Sequence, residues 1–324
     1  MKSFLLKIAV FSLLQGLVAA GLLWSYDPSK ETNFLAATSA KHWRLAHKAP
    51  PRLIITGGSN VPFGLQSDLI EKAVGRTVVN MGLAAGLGLD FMLAEIQPSL
   101  RSGDMVLISL EYDQFSGGYD PDVIQQVLVF RPSNVRFLRA KHLRKVILDR
   151  GLILAGAMVR RAVISFNPFG AFQDRDRPTA AHGYNTWGDL RAHYGKPPML
   201  SAEAPDRLVP PGREWPSPSA IKTLTRFASH CHDYGVQVAF SFPPQQLARL
   251  NNDRRAVDQI ASALQSIPHL IVLDSPDEQS YLAELFYDTG YHLNEQGAAL
   301  RTRRLIEDLV RTPKVPSEND GGNP

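Results

Sequence analysis

The chain has 324 residues, 44% of them hydrophobic and 20% charged, which supplies a sizeable core and argues against wholesale disorder. Its formal net charge of +4, with Lys2 and Lys7 at the extreme N-terminus, is too weak and too dispersed to indicate a nucleic-acid partner. The single cysteine, Cys231, excludes an internal disulfide and a cysteine-only metal centre, and no cofactor or metal is expected.

Ile8 to Trp24 is almost continuously apolar, interrupted by Ser12 and Gln15 and preceded by Lys2 and Lys7. A membrane helix needs ~20 such residues. Basic residues ahead of the run place the N-terminus in the cytoplasm and the bulk of the chain on the extracytoplasmic (periplasmic) side. Residues 1–25 are therefore expected to be a single-pass transmembrane anchor. A signal sequence cleaved after Val18-Ala19-Ala20, releasing a secreted chain, is the alternative. Continuation of the run through Leu22, Leu23 and Trp24 favours the anchor. Residues 26–50 are polar and mixed, and read as a linker ending at Pro50-Pro51.

Arg52 to Thr56 is a short apolar run that stops at Gly57-Gly58, the pattern of a buried strand ending in a tight turn. A helix over 66–74, a β-branched strand over Thr77 to Asn80, a helix over 89–100 and a strand over Met105 to Leu110 follow. This alternation predicts an α/β domain over 51–312 with a central parallel sheet and helices on its faces. The pattern breaks over about 116–216, read as an insertion or lid after the third strand, with a basic, solvated helix near 136–150. The apolar stretch 152–166 carries Arg160 and Arg161, which argues against a second membrane span. Alternation resumes with helix 217–234, strand 236–242, helix 253–265, strand 270–273 and a helix from the N-cap Asn294 to about Val310. Residues 313–324 read as a disordered tail.

In a parallel sheet, ligands bind beyond the carboxyl ends of the strands. Ser59 follows the first strand, Gly82 the second, and Glu111, Tyr112 and Asp113 the third. His292 lies in the loop before the last helix. All converge on one rim. A serine attacks a carbonyl only when a base takes its proton and donors hold the oxyanion. His292 is the candidate base, Asp288 the group that orients it, and the Ser59 and Gly82 N–H groups the candidate donors. Gly82 to Gly88 has the wrong spacing for a dinucleotide loop. His230-Cys231-His232 places its ligands two apart on a helix, a poor arrangement for a metal.

Gly58-Ser59-Asn60 with Phe63-Gly64, Asn80-Met81-Gly82 with Gly86, and Asp288-Thr289-Gly290-Tyr291-His292-Leu293-Asn294 with Gly297 resemble three blocks of the SGNH, or GDSL, hydrolase superfamily. The likeness covers about residues 52–115 and 217–310. It implies a flavodoxin-like, three-layer sandwich with about five parallel strands, with Ser59 as nucleophile, Gly82 in the oxyanion hole and Asp288 and His292 completing a triad. Three departures stand out. Gly58 occupies the place of the usual aspartate. Glu111-Tyr112-Asp113 replaces the usual asparagine donor, and an ionised carboxylate cannot donate; the Tyr112 hydroxyl or Asn60 is the candidate substitute. Asp288 and His292 are four apart where three is usual, which leaves either Asp288 or a backbone carbonyl as partner for the imidazole.

The resemblance implies a membrane-anchored esterase or O-acyltransferase acting on acyl, plausibly acetyl, esters of a cell-envelope or exopolysaccharide, beside a multispanning membrane acyltransferase. Tyr184 and Trp187, with Arg191, His193 and Tyr194, are candidates to hold an acylated glycan. A catalytically degenerate module that binds a polysaccharide or the membrane acyltransferase is the alternative.

Overall fold

The computed structural model of the protein describes residues 2–24, 33–148, 156, 181–199 and 215–312. Five strands, β1 (Arg52–Gly57), β2 (Thr77–Asn80), β3 (Met105–Ser109), β4 (Gln237–Phe240) and β6 (Leu270–Val272), form one sheet in the order β2-β1-β3-β4-β6. Every neighbouring pair is parallel. Two short strands, β5 (Gln245–Gln246) and β7 (Ser280–Tyr281), pair separately. The α/β class and the five-stranded parallel sheet are as the sequence predicts.

Parallel strands are covered on both faces, which is why they read as unbroken apolar runs. Ile54, Val79, Val106, Ile108, Val238 and Phe240 share the larger core. That core takes in Leu45 of α2 (Thr38–His47), Phe91 of α5 (Leu89–Ile96), Ile124 of α6 (Pro121–Phe130), Phe227 of α7 (Pro218–Asp233) and Val257 of α8 (Leu247–Gln265). The alternate strand positions Leu53, Ile55, Val78, Leu107 and Ala239 face the other way. They meet Val61 of α3 (Asn60–Gly64), Ile70 of α4 (Ser67–Val74) and Leu305 and Leu309 of α9 (Glu295–Arg311).

The N-terminal helix α1 runs Lys2–Trp24 and exposes Phe4, Phe11, Leu13 and Val18. Among the described residues, however, no helix is long and apolar enough to cross a membrane. The expected transmembrane span is therefore not supported there.

The expected linker is also corrected. Its second half folds as a 3-10 turn, Phe34–Ala37, and α2, which bury Leu35, Lys41, His42, Arg44 and Leu45. Polar side chains hide this packing from a composition reading: His42 meets Glu95 at 3.1 Å and Arg44 donates to the Val78 carbonyl at 2.9 Å. The region expected to be a lid begins instead with α6, whose Ile124, Val127 and Leu128 join the main core. The basic stretch near 136 opens as a 3-10 turn, Pro132–Phe137, with Phe137 buried, so it is not a wholly solvated helix. Helix α8 starts at Leu247, earlier than expected, and is kinked at Asp253. The apolar stretch 152–166 falls almost wholly, and the tail 313–324 entirely, outside the described residues.

Residues 181–199 are fastened to the sheet by one buried carboxylate. Asp189 accepts the Ser67 N–H at 2.9 Å, the Ser67 hydroxyl, Asn80 Nδ2 at 2.9 Å and Asn185 Nδ2 at 3.1 Å. Arg191 pairs with it at 3.2 Å. From the other side Lys41 Nζ donates to the carbonyls of Asn80 and Gly188 at 2.9 and 2.6 Å. Removing Asp189 strands several buried donors at once, each costing more than its bond contributes. Asp189→Ala is expected to lower stability by about 3 kcal/mol, read as a shift in urea midpoint with unchanged slope.

Candidate active site

The strand order changes direction between β1 and β3, and that crevice is where a parallel sheet presents its loops to a ligand. Ser59 leaves the end of β1 as the N-cap of α3, and Glu111 follows β3. Close packing holds the serine loop there. A Cβ on Gly82 would stand 2.4 Å from the Val61 Cβ, so only glycine lets the loop after β2 lie against α3.

The third element is the loop ahead of α9. Phe286 and Leu293 form an isolated bridge, and the Tyr287 N–H donates to the His292 carbonyl at 2.8 Å. Asn294 caps α9 by accepting the Gly297 N–H at 3.0 Å, as expected. Within this loop the Thr289 hydroxyl accepts the N–H groups of Tyr291 and His292 at 3.3 and 3.2 Å. That turn draws the chain tight, so the four-residue spacing still brings Asp288 Oδ1 to 2.6 Å from His292 Nδ1. On the other side of the ring, His292 Nε2 lies 2.7 Å from Ser59 Oγ. The imidazole stacks on Phe63, ring centroids 3.8 Å apart and planes 4° apart. Ser59, His292 and Asp288 thus stand in the geometry of a serine proton relay.

The environment of Ser59 departs from the expected oxyanion hole. The Gly82 N–H is taken by Asn80 Oδ1 at 3.0 Å. Asn60 gives its N–H to Glu111 Oε1 at 3.0 Å and its Nδ2 to Ser109 Oγ at 2.9 Å. Tyr112 is fully buried, with its hydroxyl facing Gln245 and its pKa driven well above the usual phenol by burial. The proposed donor roles of Asn60 and Tyr112 are therefore not met, and Gly82 is engaged elsewhere. Glu111 itself reaches Ser59: its Oε1 accepts from Ser59 Oγ at 3.0 Å. Its backbone is fixed by Gln114, whose Oε1 accepts the Glu111 N–H at 2.8 Å, and Gln114 Nε2 contacts Met92 Sδ at 3.0 Å. Glu111 also explains Gly58. A Cβ at position 58 would stand 2.5 Å from Glu111 Oε1 and 3.2 Å from Gln114 Oε1.

Arg301 was not singled out from sequence. It is wholly buried on α9 and donates to the Asn60 carbonyl at 2.9 Å and Ser109 Oγ at 2.8 Å, tying the end of β3 to the start of α3. Its only sequence signal is a charge on the inward face of the last helix. Of the candidate glycan residues, His193 packs against Phe63 behind the site and Tyr184 joins the same small cluster. Tyr184 is under Lys41 Nζ, 4.9 Å from its ring centroid, and its hydroxyl is buried. Trp187 donates Nε1 to Glu71 at 3.0 Å and packs on the smaller core. Arg191 pairs with Asp68 at 2.6 Å. Trp187 and Arg191 thus have partners inside the fold, while the Tyr184 hydroxyl is buried without a hydrogen-bond partner. Cys231 is buried, which pushes its thiol up to about 12, while His232 stacks on His269 and His230 packs against Tyr234 with the ring planes tilted by 42°. Among the described residues no group of three or more His, Cys, Asp or Glu side chains is placed to hold a metal.

No protein-family model matches the chain, and no curated protein does. Among solved structures, a Streptococcus pneumonia protein provisionally called a platelet activating factor aligns over 92% of this chain and 99% of its own, at 11% identity and a TM-score of 0.38. A likeness that loose carries no inference about this chain.

His193, from the stretch fastened by Asp189, backs the site. Its ring lies 4.8 Å from that of Phe63, and its Nε2 lies 3.0 Å from the Leu293 carbonyl. Burial pushes its pKa down to about 4. The folded state therefore binds fewer protons than the unfolded one between about pH 6.5 and 4, and stability falls as pH drops through that window. His193→Phe is expected to flatten this slope, sparing about 2 kcal/mol of the loss between pH 7 and 4, measured by urea titration at each pH.

Proposed function

We propose that the chain is a serine-dependent esterase or O-acyltransferase of the SGNH type, with Ser59 as nucleophile, His292 as general base and Asp288 as the group that holds the imidazole. The carrying observation is the unbroken chain from Asp288 through His292 to Ser59, at 2.6 and 2.7 Å. An ionised carboxylate only accepts, so Nδ1 carries the proton toward Asp288 and Nε2 is free to take the one on Ser59. The flavodoxin-like strand order and the three sequence blocks support the family reading. In the reaction the Ser59 oxygen attacks the ester carbonyl carbon and its proton passes to Nε2. The imidazolium then protonates the departing alkoxide. Water or a sugar hydroxyl takes the acyl group by the same steps reversed, which accommodates both hydrolysis and transfer.

An acylated envelope polysaccharide, a multispanning acyltransferase partner and placement on the extracytoplasmic side of a membrane belong to the same proposal. Lys2 and Lys7 ahead of the exposed apolar side chains of α1 support the placement. A reporter fused after Tyr26 is expected to be active only outside the cytoplasm; activity confined to the cytoplasm would remove it.

The second reading, a binding module that has lost catalysis, is favoured by one observation: the N–H groups of Gly82 and Asn60 are both committed to side chains. Labelling of the detergent-solubilised full chain with a fluorophosphonate separates the two. The enzyme reading expects covalent labelling that Ser59→Ala abolishes and Asp288→Asn slows by about a thousandfold. Labelling indifferent to Ser59→Ala would reject Ser59 as nucleophile.

A further inference from the structure

Residues 123–148 contain Arg131, Arg136, Arg139, Lys141, Arg144 and Lys145 and no aspartate or glutamate. The fold turns much of that charge outward. Phe137 and Val146 are buried in the main core, and Gln125 Nε2 donates to the Val146 carbonyl at 3.2 Å, which fixes the stretch against α6. Around these two anchors Arg136, Arg139, Arg144 and Lys145 are exposed. Arg139 pairs with Asp90 at 2.8 Å, while the other three form no ion pair among the described residues. Two apolar side chains are exposed among them, Val135 at 39% and Leu143 at 40%.

A bilayer interface suits both features at once. Lipid phosphates attract the cations, and the boundary with the acyl chains takes up the apolar side chains. A soluble acidic polysaccharide would match the charge alone. The place where the chain enters the domain points the same way. Asn33 Nδ2 donates to Gln126 Oε1 at 2.8 Å, and Gln126 is the sequence neighbour of the Gln125 that holds Val146. Ser39 donates to the Phe130 carbonyl at 3.2 Å, and Asn134 to the Thr38 hydroxyl at 3.3 Å. The entry therefore lies beside the basic stretch. Residues 25–32 reach at most ~30 Å, so the apolar helix α1 is tethered within that distance of the same entry.

We propose that the surface carrying Val135, Arg136, Arg139, Leu143, Arg144 and Lys145 is a membrane-docking face, which lays the folded domain on anionic lipid headgroups with Val135 and Leu143 entering the interface. The contact deepens the membrane placement proposed above. It belongs to the domain itself, does not require α1 to cross the bilayer, and is independent of the chemistry at Ser59. Each Lys or Arg at an anionic surface strengthens binding about fivefold, so the three cations without ion pairs contribute about a hundredfold together. Salt shortens the range of the charges and weakens the contact.

The test places an environment-sensitive fluorophore on the full chain at Leu143→Cys, and separately at Val310→Cys. Val310 is 63% exposed on α9, which covers the opposite face of the sheet. The native Cys231 is fully buried and so shielded from the reagent. Each labelled chain is diluted from detergent into vesicles of equal parts phosphatidylglycerol and phosphatidylcholine, into vesicles of phosphatidylcholine alone, or into soluble polygalacturonate. Emission at 143 is expected to rise and shift to the blue on the anionic vesicles at low salt, and to revert at high salt, while emission at 310 stays constant. Arg136→Glu/Arg144→Glu/Lys145→Glu is expected to abolish the change, since three attractions become repulsions, and to keep native fluorophosphonate labelling of Ser59 in detergent.

No change at 143 on the anionic vesicles, even where the chain sediments with them through α1, overturns the docking face. An equal change on phosphatidylcholine alone, or equal changes at 143 and 310, also overturns it. A change with polygalacturonate and none with vesicles makes the face a glycan site and overturns the lipid reading. If the triple variant does not fold, judged by circular dichroism, the lipid and salt dependence of the native face decides alone. Failure of Ser59 to label, with the change at 143 present, rejects the enzyme reading and supports this one.

Discussion

The hydrogen bond between Ser59 and His292 joins two residues 233 positions apart, and most of the surrounding architecture is required to hold it. A proton passes between two side chains only over hydrogen-bond distance, so the loop after β1 and the loop before α9 must meet within a fraction of an ångström. The parallel sheet brings both to one edge. Phe63 fixes the imidazole plane by stacking on it, and Asp288 fixes its tilt. Arg301 ties the last helix to the carbonyl of Asn60, directly beside the serine. A wholly buried guanidinium is costly unless its donors are used; here Nη1 and Nη2 bond to α3 and β3, while Nε has no hydrogen-bond partner.

A second constraint is electrostatic and turns on Glu111. Gly58 and Glu111 are one coupled choice, since any side chain at 58 would overlap the carboxylate. An acidic group against the serine hydroxyl is the opposite of a ready-made oxyanion hole. It also bears on the two functional readings, because an acidic side chain beside Ser59 is a poor neighbour for the negative charge that acyl transfer creates.

Much of this was legible from residues alone, for identifiable reasons. Buried parallel strands are continuous apolar runs, so β1, β2 and β3 stand out within a residue or so, and the rule that loops at their carboxyl ends converge located Ser59, Gly82 and His292. The relay itself was visible as a shared rim, though the reach of Asp288 depended on a turn built by the Thr289 hydroxyl, which spacing does not reveal. What was not legible are places where polar residues are buried. The 26–50 region looked like a linker because Lys41, His42 and Arg44 are charged or polar, yet each finds a partner inside. Tyr184 and Trp187 read as candidate glycan residues, and composition alone does not reveal that Lys41 lies over the Tyr184 ring and Arg44 over that of Trp187. Glu111 was noted as a missing donor; its contact with Ser59 comes from tertiary packing and leaves no periodic signal.

The most direct measurement of the central claim is to trap the acyl group. The full chain would be mixed with an activated acetyl ester, quenched in acid within milliseconds to seconds, digested and read by peptide mass spectrometry. The account predicts acetyl on the peptide carrying Ser59, at the hydroxyl of that residue, accumulating before steady-state release. Acetyl on another residue, or ester turnover with Ser59 unmodified at every time point, would contradict it.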